Sequence, residues 1–203
     1  TLSFKAAVFS AIFAVLAGIC AGVWAVVVWR REAIWRREDH EAELHQRDQE
    51  LQWKQAELAR QLLDDIFDHR PSEDAWDMVD GETEFKDLDG KNLEISKADI
   101  KRALKLTIVA GKPVLLDGAN EEEQREEKYV RYCFDALFYY LERLERSLTI
   151  KVVRFDDLVA PTGYYITLMS DDKSLFEEYS RFIGFDGAIA FMNRFPEWRN
   201  ART

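Results

Sequence analysis

The sequence predicts an all-α protein: an N-terminal transmembrane helix continuing into a long helical stalk, then a bundle of about five to seven helices. Three observations carry this expectation. Ala6 to Trp29 contains no charged residue, Glu32 to Asp68 contains neither glycine nor proline, and helix caps and breakers recur at short intervals from Pro71 to Pro196. The expected divisions are an anchor over 1–31, a stalk over 32–68 and a helical domain over 69–203.

The apolar run AAVFSAIFAVLAGICAGVWAVVVW has 24 residues. At about 1.5 Å per residue it makes roughly 36 Å of helix, against a bilayer core of about 30 Å. Trp24 and Trp29 lie toward its end, where indole rings favour the headgroup layer. A secretory signal would have a shorter apolar stretch and polar sequence after a small-residue cleavage site, but here the run continues past Ala17 and Ala21. A lipoprotein signal would place a small residue before its cysteine, and Ile19 precedes Cys20. One lysine, Lys5, precedes the run, whereas Arg30, Arg31, Arg36 and Arg37 follow it. That asymmetry places the N-terminus outside and the C-terminal domain in the cytoplasm, at an inner membrane. Ser10, Ala14, Gly18 and Gly22 recur every four residues. Small residues on one face let two helix backbones approach closely, so this stripe is a candidate oligomerisation face.

The stalk is dense in good helix formers. Leu44, Leu51 and Leu58 are spaced as one heptad position, while Glu41, Asp48 and Gln55 occupy the companion position, so the pattern is half a coiled-coil seam. His40 and His45 lie five apart on diverging faces and read as solvated surface.

In the remaining chain, Pro71 and Ser72 open a short helix that closes at Gly81. Ser96 and Asp99 form a capping box for a helix expected to reach about Ala110, with Gly111 after it. Glu82–Gly90 and Gly111–Gly118 read as loops that could hold a short hairpin. Asn120 caps a long helix from Glu121 to about Leu148, whose acidic first turn suits the helix dipole. Its apolar face, Val130, Phe134, Leu137, Leu141, Leu144 and Leu148, makes it the centre of the bundle. A helix from Phe155 to about Ala160, a break at Pro161-Thr162-Gly163, and an apolar segment Tyr164–Met169 follow. Asp171 or Asp172 then caps a helix stopping at Gly184, and Asp186 caps a last one, Gly187–Phe195, ended by Pro196.

The net charge is −10 and the pI near 4.9, which argues against nucleic acid as a main partner. Two cysteines, Cys20 and Cys133, both in apolar helices, give no disulfide framework. Templates for chemistry fail in turn. Asp87-x-Asp89-Gly90 lacks the spacing of a calcium loop and reads as a turn. Asp64, Asp65, Asp68 and His69 form the densest group able to hold a divalent ion, but Glu73, Asp74, Asp77 and Asp80 follow, so the region reads as a broad acidic face. Asp135, in an otherwise apolar stretch, needs a partner, and Arg131 or Arg154 are the candidates. No P-loop, GxSxG, GxGxxG, CxxC or ExxH pair is present. The sequence therefore nominates no catalytic, cofactor-binding or metal-ligating residue.

The segments FDALFYYLERL, FDDLVAPTGYY and YSRFIGFDGAIAFMNRFPEW, from Phe134 to Trp198, follow an anchor and charged stalk. In that order they resemble uncharacterised bacterial membrane-anchored helical proteins classed as domains of unknown function. The resemblance implies no activity and no site residue.

The expected function is a membrane-tethered, non-enzymatic interaction or regulatory module. Its partners would be the lipid bilayer, a second copy of the chain and a protein of undefined identity. One alternative is a carboxylate-based, metal-assisted hydrolase or effector using Asp135, Glu142, Asp156 and Asp157. Another is an accessory subunit of a membrane complex, docking through aromatics such as Tyr164, Tyr165, Phe191 and Trp198.

Overall fold

The computed structural model describes residues 2–200. The side chains of residues 2–17, 19–21, 33, 34, 37, 38 and 198 lie outside the described set. The chain is mostly helical, with two small antiparallel sheets, and divides into two compact units, 1–53 and 54–203. The all-α expectation holds at that level; the two hairpins are additions to it.

The first unit is carried by α1 (Leu2–Phe67), helical without interruption, as the absence of Gly and Pro after Gly22 allows. Ser10 and Ala14 lie outside the described side chains. Gly18 and Gly22 have open space where a Cβ would stand. Trp24 and Trp29 are exposed, and the Arg31 guanidinium lies over the Trp35 ring at 5.1 Å. Among the described residues no helix is long and apolar enough to cross a membrane. Most of the run Ala6–Trp29 falls outside the described side chains.

The second unit is organised by α4 (Glu121–Thr149). Asn120 Oδ1 accepts from the Glu123 N–H at 2.9 Å and starts it. Val130, Phe134, Leu137, Leu141 and Leu144 are fully buried, as their spacing predicts. The last turns of α1 contribute Ala59, Leu62, Leu63 and Ile66 to the same core. They run beside α4 in the opposite sense, with Gln55 bonded to the Lys151 carbonyl and Asp65 to Arg143.

α2 (Arg70–Asp80) has Pro71 in its first turn and closes at Gly81, whose φ of 105° is left-handed. β1 (Glu84–Lys86) pairs antiparallel with β2 (Asn92–Glu94). Asp87 Oδ1 accepts from the N–H groups of Asp89 and Lys91, so the false calcium loop is a side-chain-capped turn. α3 (Lys97–Leu104) opens with the full capping box of Ser96 and Asp99.

α3 ends at Leu104, short of the expected Ala110. The β-branched run Thr107-Ile108-Val109 forms β3 (Leu106–Val109), paired with β4 (Lys112–Leu115). Ala110 and Gly111, at φ 52° and 78°, make the two-residue turn between them. α5 (Phe155–Met169) is continuous, so Pro161 breaks nothing. It removes one backbone donor, while the Thr162 hydroxyl bonds the Leu158 carbonyl at 2.8 Å. A 3₁₀ turn over Ser170–Asp172 leads into α6 (Lys173–Ile183), which stops at Gly184 (φ 89°). α7 (Asp186–Met192) is shorter than expected, and Pro196 opens α8 (Pro196–Asn200). Gly187 lets α7 rest on α4: a Cβ there would lie 2.8 Å from Glu142 Cγ.

Candidate functional site

The second unit holds an open acidic groove of about 1210 Å³. Four segments build it. α2 presents Arg70, Asp74 and Asp77, and the turn after it Glu82. The first hairpin adds Glu84, Lys86 and Glu94, α3 its capping pair Ser96 and Asp99, and α4 its first turns with the exposed Glu122 and the half-buried Glu126. The three helices place acids there for local reasons. Asp99 and the Glu121–Glu123 turn sit at helix N-termini, where the dipole favours carboxylates. Asp74 and Asp77 lie opposite the face of α2 that buries Ala75, Met78 and Val79.

Only Arg70 and Lys86 bring positive charge to this lining. Arg70 donates to the Lys86 carbonyl at 2.6 Å and lies 3.7 Å from Asp74, which also accepts from the buried Tyr129 hydroxyl. Burial, then the charges of Glu73, Asp74, Glu82 and Asp80, push the Asp77 carboxyl above the ordinary aspartate range. Burial and then Asp99 raise Glu126, with Arg102 opposing. Asp99 is itself held low: burial pushes it up, but the hydrogen bonds from the Ser96 hydroxyl and N–H together with the Arg102 guanidinium outweigh that. The groove therefore carries an excess of negative charge, offset in part by Arg70, Lys86 and the Arg102 that pairs with Asp99 and Glu126, and suits a cationic ligand or a basic protein segment.

Because its pKa is raised in the fold, Asp77 destabilises the domain above that pKa, and the effect disappears below the unfolded value. Asp77→Asn is expected to raise the thermal midpoint at pH 7, with the difference closing as pH falls through the carboxylate range. A pH series of melting curves on the two proteins checks this; equal midpoints at pH 7 would contradict it.

The residues singled out from sequence do not converge. Asp135 is half-buried and accepts from the Tyr179 hydroxyl at 2.7 Å, in place of Arg131 or Arg154. Burial raises its carboxyl against the pull of that bond and of Arg131. Arg154 instead forks onto Asp157 at 2.8 and 2.9 Å. Glu142 has one oxygen 3.8 Å from Arg146 and the other buried, and Asp156 is exposed. None of these four carboxylates lines the groove or the two smaller cavities. Asp64 and Asp65 pair with Arg60 and Arg143, and the His69 ring stands against Ser72 and Tyr140. Among the described residues no three His, Cys, Asp or Glu side chains gather as a metal cage. Tyr164 is exposed, but Phe191 is a core residue, so these two do not share an aromatic patch.

Reading along the chain found two acids of the groove, Asp74 and Asp77 within the run from Glu73 to Asp80, and missed Glu82, Glu84, Glu94, Asp99, Glu122 and Glu126 as parts of it. Asp99 and Glu122 sit in first helical turns and Glu82 in a turn, where acids are common for local reasons, and nothing local marked the others. In comparisons with known proteins, the chain matches no protein-family model, no curated protein and no solved structure.

Proposed function

We propose that this chain is a membrane-tethered, non-enzymatic interaction or regulatory module, with its domain at the cytoplasmic face of an inner membrane. One observation supports it above the others. In the isolated chain Val23, Trp24, Val26, Val27 and Trp29 of α1 are all exposed, at the end of an uncharged run that only lipid would cover at no cost. The arginines beyond that run set the orientation. Ser10, Ala14, Gly18 and Gly22 form the face on which two anchors meet. Leu44 and Leu51, at 47% and 59% exposure, extend the contact, while Leu58 packs on the chain's own core. The acidic groove supplies the domain with a face for a basic partner, as an accessory subunit of a membrane complex would use.

The chain is expected to remain with the membrane after alkaline carbonate extraction and to run as a dimer by light scattering in detergent. Gly18→Ile should shift that mass toward the monomer, because a branched side chain holds the two backbones apart. Release by carbonate would sink the tether, and an unchanged mass would sink the dimer.

A further inference from the structure

The β3–β4 hairpin stands as an isolated two-stranded sheet, with each strand paired only to the other. Its two outer edges differ chemically. The turn at Ala110-Gly111 makes Val109–Lys112 the pair that exchanges ladder hydrogen bonds. Ile108 and Pro113, the next pair, therefore direct their backbone groups outward. On β4 that outward position is a proline, which has no N–H to offer. On β3 it is Ile108, followed along the same edge by Leu106, and both keep donor and acceptor. One edge is closed to strand addition and the other is open.

The side chains and charges around the open edge narrow what can dock there. Ile108 is 67% exposed, and Val109 and Leu116 are also exposed, so the tip offers apolar contact. Lys105 to Leu116 contains two lysines and no acid, within a chain of net charge −10. Lys105 and Lys112 are both exposed and form no ion pair among the described residues. Within the second unit the hairpin lies away from the Gln55–Lys151 contact. Gln55 meets Lys151 beyond the C-terminus of α4, whereas Arg131 holds the Leu116 carbonyl, roughly 30 Å back along that helix at about 1.5 Å per residue. A free backbone edge flanked by lysines favours an acid-bearing protein segment over lipid, which has no backbone to add to the edge.

From this geometry we infer that the outer edge of β3 is a strand-addition site for an extended, acid-flanked peptide segment of a partner protein. Backbone bonds at Leu106 and Ile108 would hold it, alternate apolar side chains would lie over Ile108, and its acids would face Lys105 and Lys112. The inference rests on the reading of the chain as an interaction module, but it needs no membrane tether.

The test uses the full-length protein in detergent and a fluorescein-labelled heptapeptide of alternating valine and threonine with a glutamate at each end. Binding is followed by fluorescence anisotropy, and amide exchange at Leu106 and Ile108 by mass spectrometry. The peptide is expected to bind, to protect those two amides, and to lose binding when alternate backbone nitrogens are methylated. Ile108→Pro, which copies Pro113 onto the open edge, should weaken binding about tenfold or more. Absence of binding, equal binding of the methylated peptide, or Ile108→Pro binding as tightly as the parent overturns the inference. So does concentration-dependent protection of Ile108 without peptide, which would make a second copy the occupant. Failure here with carbonate-resistant, dimeric chain leaves the tethered module standing, and the converse result separates the two in the other direction.

Discussion

Glu127→Ala is expected to lower the stability of the domain by about 3 kcal/mol, because it removes the buried anion shared by two arginines. Glu127 is 1% exposed. Arg102 Nε donates to its Oε1 at 2.8 Å, and Arg131 Nη2 lies 3.4 Å from its Oε2. Both arginines do more than neutralise it. Arg102 also reaches Asp99 at 2.8 Å, and Arg131 bonds the carbonyls of Ala103 and Leu116 and the Asp117 carboxylate. This cluster ties the end of α3 and the exit of the second hairpin to α4. Without the carboxylate, Arg102 keeps Asp99 and Arg131 keeps Asp117, but both lose the buried anion between them, and Arg131 is itself mostly buried. Denaturant unfolding followed by the near-ultraviolet signal of the buried aromatics measures the loss. Glu127→Gln, which keeps an acceptor but no charge, should fall between parent and alanine variant. An alanine variant as stable as the parent would show that the cluster contributes nothing net. Amide exchange should rise first in α3 and the β3–β4 hairpin, since those segments lose their attachment.

The second large effect is expected at Phe134→Ala, at about 4 kcal/mol, the range for deleting a buried phenylalanine from a packed core. Phe134 is fully buried at the middle of α4. Its ring stacks on Phe176 of α6 at 5.5 Å between centroids and tilts against Phe138 at 6.1 Å. The cavity would open between two helices whose nearby polar link is the Tyr179–Asp135 hydrogen bond. Phe134→Leu should recover more than half of the loss, because it refills most of the volume. A loss below about 1 kcal/mol would mean that α6 collapses onto the vacated space. Neither substitution reaches the acidic groove or the outer edge of β3, so peptide binding at the hairpin should survive Phe134→Ala while the fold persists.

What was legible in the sequence is what neighbouring residues decide among themselves. Gly81 and Gly184 take the left-handed backbone that ends α2 and α6, Ser96–Asp99 and Asn120 supply their hydrogen bonds within one turn, and the 3.6-residue period of α4 marks the buried face. Interactions of that range are written in the chain because both partners lie within a few residues. The uncharged run of α1, and with it the case for a tether, is also a property of sequence alone.

Tertiary structure decided the rest. Lys105 to Val109 could have extended α3, but the hairpin turn at Ala110-Gly111 and the seat for Leu115 against the core favour a strand. Pro161 costs α5 one hydrogen bond, and the burial of Leu158, Thr162, Ile166 and Met169 along one continuous face outweighs it. Asp135 finds Tyr179, 44 residues away, where sequence offered only arginines. The acidic groove exists because α2, the first hairpin, α3 and α4 converge, and no local pattern encodes that convergence. Side-chain periodicity specifies which face of an element is buried, but which surfaces meet depends on packing among elements distant in the chain.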